Sequence, residues 1–171
     1  SDVYKRQPYG YRGLGEVMVF IFFGLIAVMG TQLTQLGSIS WEGAVAAVAV
    51  GAFSCANNLV NNLRDIPSDT ASGKITLAVR LGDKRTRILD AFLVFGPFIL
   101  SCVLALSSVW TLLSLLALPL AWNAYTPVRT GQVGPALVVS LKRTGKAMLV
   151  WSLLLGVGLA LGALGVGVAI G

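Results

Sequence analysis

Charged residues come in bursts along this chain, separated by long apolar intervals. Val17 to Trp41, Gly43 to Leu63, Ala91 to Val128 and Ala147 to Gly171 carry no charge at all. A helix needs about 20 mostly apolar residues to cross the hydrocarbon core of a bilayer. The third interval runs for 38 residues, so it holds two crossings, turned near Ser107-Ser108. The pattern predicts five spans, at 15–36, 43–63, 88–106, 109–126 and 147–168. That is an all-α, polytopic transmembrane helical bundle. Gly24, Gly51, Pro97 and Pro119 fall inside spans, where membrane helices tolerate them. The closing run GVGLALGALGVGVAIG is rich in small residues, which predicts close helix packing there.

Composition agrees with the pattern. The chain is 56% hydrophobic and 12% charged, against about 25% charged residues in a soluble domain. Mean hydropathy is +0.80. There is no histidine, which excludes imidazole acid–base chemistry and histidine metal ligation within this chain. Cys55 and Cys102 both lie in apolar runs and read as small buried hydrophobes rather than as a disulfide or metal pair. The first seven residues, SDVYKRQ, form no apolar core of a signal peptide and read as a non-native leader (1–7) before residues 8–171.

The basic residues set the expected orientation. With five spans, the segment before the first, the 64–87 connection and the 129–146 connection share one side, and all 13 Lys and Arg fall there. The opposite turns, near 37–42 and 107–108, contain none. A central Lys or Arg costs roughly 2.5–3.5 kcal/mol on insertion scales. The basic side is therefore expected to be cytoplasmic. The net charge of +6 is topology, and no nucleic-acid partner is expected.

Between the second and third spans stands NNLVNNLRDIPSDTASGK, Asn57 to Lys74, an unusually polar stretch. Asn57, Asn61 and Asp65 are spaced by four and share a helical face, with Asn58 and Asn62 on the neighbouring stripe. Asp65 and Asp69 continue the spacing, across an interruption at Pro67. Two carboxylates near asparagine side chains suit a hard cation such as Mg²⁺, which is commonly held by one or two carboxylates plus substrate phosphates. Arg64, Lys74 and Arg80 are placed to meet the remaining phosphate oxygens. The plainer reading stays open beside it: a connection between spans needs polar residues, and PSDTASG is good turn chemistry in which Asp69 or Ser72 caps a helix.

The longer string NNLVNNLRDIPSDTASGKITLAVRLG, Asn57 to Gly82, resembles the second aspartate-rich motif of the UbiA-type membrane prenyltransferases. Within that superfamily it is similar to the branch that prenylates 1,4-dihydroxy-2-naphthoate in menaquinone synthesis. The matching positions are Asn61, Asn62, Arg64, Asp65, Asp69, Gly73, Lys74, Thr76, Leu77, Ala78, Val79, Arg80 and Gly82. Upstream, PYGYRGLGEVMVFIFFGLIAVMGT (Pro8 to Thr31) resembles the same branch. The resemblance implies a nine-helix bundle of which this chain supplies helices five to nine, without the first acidic motif and inactive by itself. It implies a bacterial cytoplasmic membrane and active-site loops on the cytoplasmic face.

It also implies an activity: transfer of a polyprenyl group from its diphosphate to 1,4-dihydroxy-2-naphthoate, releasing diphosphate and CO₂. Asp65 and Asp69 would be the catalytic Mg²⁺ ligands, with Asn61 and Asn62 orienting them. Lys74, Arg80 and Arg64 would hold the diphosphate. Two alternatives remain: a different aromatic acceptor such as 4-hydroxybenzoate, or a transporter or structural membrane segment. Acids within the spans would favour transport, and Glu16 near an edge is the acid read there.

Other positions keep two readings. Tyr9, Tyr11 and Arg12 either help hold the aromatic acceptor or form an interfacial belt. Glu16 is either a buried functional group or a helix-start charge favoured by the dipole. Lys142, Arg143 and Lys146 read as topology determinants, with diphosphate contact as the alternative. Trp41, Trp110, Trp122 and Trp151 read as interface anchors or packing. Phe20, Phe22, Phe23, Phe92, Phe95 and Phe98 read as packing or tunnel lining.

Overall fold

The computed structural model describes residues 13–166, and every regular element among them is helical. Five helices are long and apolar enough to cross a membrane: α1 (Gly15–Leu36), α2 (Trp41–Arg64), α4 (Leu77–Leu104), α5 (Val109–Arg129) and α6 (Pro135–Ala163). A short helix, α3 (Ile66–Ala71), lies between α2 and α4. The chain is a multi-pass membrane protein, and the five expected spans are all present.

Two boundaries differ from the sequence reading. The third span begins at Leu77 rather than at 88, and the fifth runs Pro135–Ala163 rather than 147–168. At 1.5 Å per residue the 29 residues of α6 extend about 43 Å, well beyond a hydrocarbon core of about 30 Å. Lys142, Arg143 and Lys146 therefore ride on exposed turns of a helix, not in a loop. The start of α4 is fixed by Thr76, whose Oγ1 accepts from Val79 N at 3.3 Å. At Gly82 the backbone breaks the helix with φ 73° and ψ 169°, a region open essentially to glycine alone. In the same way Ser40 caps α2, accepting from Gly43 N at 3.1 Å.

Helix α2 is the axis of the bundle and packs against α1, α4 and α6. The core centres on Phe53, Phe98 and Trp151, with Phe53 edge-on to both other rings at 6.0 and 5.6 Å. Trp151 is fully buried, unlike the half-exposed Trp41 and Trp122, and donates through Nε1 to Ser101 Oγ at 3.0 Å. Phe92 is exposed while Phe98 is core. Where α1 crosses α2, a Cβ added to Gly24 would lie 2.5 Å from Gly51 Cα, so small residues set the approach. The glycine-rich end of α6 packs closely as expected. A Cβ at Gly158 would meet the Thr111 backbone at 2.8 Å, and one at Gly162 the Ser108 side chain at 2.5 Å.

Cys55 is buried, as read from sequence, but Cys102 is exposed on the outside of α4. In a membrane helix an apolar neighbourhood is as consistent with facing lipid as with facing the core, which is why the sequence pattern misplaced it. A second correction concerns acids within the spans. Asp90, on α4, is 1% exposed, and both its carboxylate oxygens lack a hydrogen-bond partner among the described residues. It lines none of the cavities described below.

Candidate functional site

The backbone ladder runs from α2 into α3 without losing its register. Asp65 N donates to Asn61 O at 3.1 Å, and Asp69 N donates to Asp65 O at 2.8 Å. Asn61, Asp65 and Asp69 are thus stacked one helical turn apart, although Asp65 itself leaves helical geometry (φ −93°, ψ 3°). Pro67 does not break the path. It sits in the first turn of α3, where a missing N–H is harmless.

Each carboxylate has a cation of its own. Arg64 donates to Asp65 through Nε and Nη2, at 2.7 and 2.8 Å. This guanidinium holds the Asp65 carboxyl below its usual range, with the Lys74 charge a lesser contributor. Asp65 therefore stays anionic at pH values where a free carboxylate begins to protonate. Asp69 is buried, and Lys74 Nζ lies 3.4 Å from both of its oxygens. The loose spacing leaves Lys74 free to turn toward another anion. Asp69 caps nothing through its side chain; Ser72 donates its hydroxyl to Asp69 O at 3.1 Å.

Lys74 leads into a polar cavity of about 140 Å³ lined by Gly13, Gly15, Glu16, Asn58, Asn62 and Thr76 as well. Of the two asparagine stripes, the cavity takes Asn58 and Asn62, whereas Asn61 shares the ladder with the aspartates. Arg80 is exposed, but its Nε lies 3.4 Å from where a Cβ on Gly13 would be, which puts it at the cavity's edge. Arg64 lines a different cavity of about 350 Å³, with Ile66, Pro67 and Asp83. Tyr9, Tyr11 and Arg12 lie outside the described residues.

Glu16 resolves to a buried group, 5% exposed. Asn62 Nδ2 donates to its Oε1 at 2.5 Å across 46 residues of chain, and Cys55 Sγ donates to its backbone oxygen at 3.0 Å. Glu16 also lines a second, apolar cavity of about 210 Å³ with Val17, Phe20, Cys55, Leu77, Leu89 and Leu93. A polar compartment under basic and acidic groups thus adjoins an apolar one, and Glu16 belongs to both.

Sequence reasoning did not find the clamp beside this region. Arg87, almost buried, is held by Asp83 at 2.8 Å through Nε and Nη2. It donates to Val128 O at 2.7 Å and Gln132 O at 3.0 Å, tying the start of α4 to the end of α5. The i, i+4 spacing of Asp83 and Arg87 was the available signal.

The donor set suits a hard divalent cation: two carboxylates one turn apart, with an amide oxygen on the same face. Among the described residues no cluster of three or more acidic or cysteine side chains forms. Two carboxylates are enough only where phosphate oxygens or further ligands complete the shell.

Comparison with known proteins places these features. A protein of Mycobacterium tuberculosis named 1,4-dihydroxy-2-naphthoate octaprenyltransferase is 51% identical over 158 residues, 92% of this chain and 54% of that protein. The proteins of the same name from Mycobacterium leprae and Escherichia coli are 50% and 38% identical, over 87% and 91% of this chain and 51% and 52% of theirs. The chain spans about half the length of the curated relatives it matches. Residues 3–132 match the UbiA prenyltransferase family, a stretch that takes in both cavities lined by Glu16 and the whole Asn57–Gly82 motif. The apolar spans, the aspartate ladder and these matches agree, and the chain belongs to the UbiA prenyltransferase family.

Proposed function

We propose that this chain is the C-terminal part of an enzyme that transfers a polyprenyl group from its diphosphate to 1,4-dihydroxy-2-naphthoate, with loss of diphosphate and CO₂. The observation that carries the reading is the pairing of compartments. Beside the Asp65–Asp69 ladder, a polar cavity holding Lys74 adjoins an apolar cavity. An ionic head and a hydrocarbon tail need such neighbours.

Asp65 and Asp69 would hold Mg²⁺, with Asn61 and Asn62 orienting them, and the ion when bound would supply Lewis-acid neutralisation of the leaving diphosphate. Lys74 turns from Asp69 to the diphosphate. Arg80 reaches it from the cavity's edge, and Arg64 supplies a bidentate fork once released from Asp65. Lys142, Arg143 and Lys146 are exposed on α6 and act as topology determinants on the cytoplasmic side. The apolar walls formed by Phe20, Leu89 and Leu93 exclude water from the reacting carbon. Tyr9, Tyr11 and Arg12 are assigned to the aromatic acceptor.

The test joins this chain to the complementary half of a relative, in membranes, with Mg²⁺, dihydroxynaphthoate and a polyprenyl diphosphate. Prenylated naphthoquinol is expected, and Asp65→Ala or Asp69→Ala should abolish it. Turnover indifferent to both substitutions removes the metal-ligand role. Preference for 4-hydroxybenzoate moves the acceptor assignment.

A further inference from the structure

Glu16 has one satisfied oxygen and one that is not. Oε1 accepts from Asn62 at 2.5 Å. Oε2 is buried and has no hydrogen-bond partner among the described residues. A buried carboxylate oxygen without a donor costs free energy comparable to a lost hydrogen bond to a charged group. Such a group calls for an explanation, and a catalytic role is one. Its position narrows what that partner is. Glu16 lines both the polar cavity of Lys74 and Thr76 and the apolar cavity of Phe20, Leu89 and Leu93. On the reading proposed above, the boundary between them is where the diphosphate head gives way to the prenyl chain, and so where the new carbon–carbon bond forms.

We infer that Glu16 Oε2 accepts the proton of the acceptor's ring hydroxyl, the one next to the ring carbon that is prenylated. The inference rests on the proposed prenyl transfer. An allylic cation offers Oε2 no hydrogen-bond donor, and a phosphate would repel it; a phenolic O–H satisfies it. Until then the Asn62 amide holds the other oxygen of the same carboxyl group.

The step balances as follows. The O–H bond of the ring hydroxyl breaks and its proton passes to Glu16. The oxygen's electron pair becomes a carbonyl. The ring carbon bearing the carboxylate forms a bond to the prenyl carbon as the prenyl C–O bond breaks and diphosphate leaves. The ring–CO₂ bond then breaks, its electron pair restores the aromatic ring, and the oxygen recovers the proton from Glu16. Glu16 ends as it began, and no outside oxidant or reductant enters.

Asn62 is the positioning residue. It fixes Oε1 and thereby aims Oε2, while Cys55 holds the same residue by its backbone.

The experiment uses this chain joined to the complementary half of a relative, in nanodiscs. Glu16→Gln keeps the size and the Asn62 contact but removes the base. Turnover should fall about 100-fold, the scale of one general base. Binding of dihydroxynaphthoate, followed by its fluorescence, should weaken at least tenfold. Binding of Mg²⁺ with an uncleavable prenyl thiolodiphosphate should change less than threefold. An acceptor whose neighbouring hydroxyl is methylated should bind the parent and the Gln variant equally weakly.

Parent-like turnover in Glu16→Gln overturns the inference. So does a selective gain of the parent for the methyl ether, or a loss of thiolodiphosphate binding as large as that of Asp69→Ala. Failure of the diphosphate reading looks different. There Asp69→Ala would leave thiolodiphosphate binding intact while Glu16→Gln still weakened the aromatic acceptor.

Discussion

Single side chains in this protein carry unequal weight, and burial decides which. Arg64 and Asp65 form a short bidentate pair, yet about a third of each side chain is exposed, and exposed pairs are worth about 0–1 kcal/mol. Asp65→Asn should therefore leave the thermal midpoint within about 4 °C of the parent while abolishing the proposed prenyl transfer in the joined protein; a larger drop in midpoint would mean Asp65 is structural. Ser101 is the opposite case. It is fully buried, donates to Pro97 O at 3.0 Å, and accepts from Ser114 Oγ at 2.7 Å and Trp151 Nε1 at 3.0 Å. Ser101→Ala strands the Trp151 donor in an apolar core and should destabilise by about 1–2 kcal/mol. Trp151→Phe should then cost less in the Ser101→Ala background than in the parent, since the two share one bond. Additive midpoint shifts in nanodiscs would contradict that shared bond.

At the scale of helices, what could be read in advance was what depends on local pattern. The apolar intervals announced five crossings, and the serine pair 107–108 marked the turn between α4 and α5. The early start of α4 was hidden, because Arg80, Lys84, Arg85 and Arg87 look like a loop to an apolar count. They are helical because they lie outside the hydrocarbon and Thr76 caps the first turn. Asp90 was passed over because the apolar run was counted from Ala91, one residue later. The four-residue spacing of Asn61, Asp65 and Asp69 was legible. The Glu16–Asn62 bond was not, because it exists only through the crossing of α1 and α2 at Gly24 and Gly51. That crossing makes a prediction: Gly24→Leu should push α1 off α2 and lose acceptor binding with Glu16 and Asn62 both intact in sequence. Gly82 makes another. Its backbone is in a region that a Cβ disfavours by about 1–3 kcal/mol. Gly82→Ala should lower the thermal midpoint even though nothing lies within 4 Å of the added methyl group. A neutral result would show that the kink relaxes at no cost.

The whole molecule is a sided object. Among the described residues every Lys and Arg sits at the end that carries α3, the start of α4, the α5–α6 connection and the first turns of α6. At the other end Ser107 donates to Glu42 at 2.8 Å, Gln32 meets Ser40, and no basic side chain occurs in the turns. Helix α1 packs chiefly on α2, and little of its apolar stretch is buried. That exposed face suits lipid or further helices, and it leaves the sidedness to be carried by charge. In the orientation proposed from the positive-inside rule, the Asp65–Asp69 turn would face the cytoplasm, the side from which the proposed acceptor and Mg²⁺ would reach it. Single cysteines test this after Cys55 and Cys102 are replaced by alanine. Ser38 and Ser72 are both exposed, at opposite ends. In intact cells a membrane-impermeant maleimide should label Ser38→Cys and spare Ser72→Cys, and lysis should expose the second. Labelling of Ser72→Cys in intact cells would invert the protein in the membrane, and with it the side from which every substrate proposed here must enter.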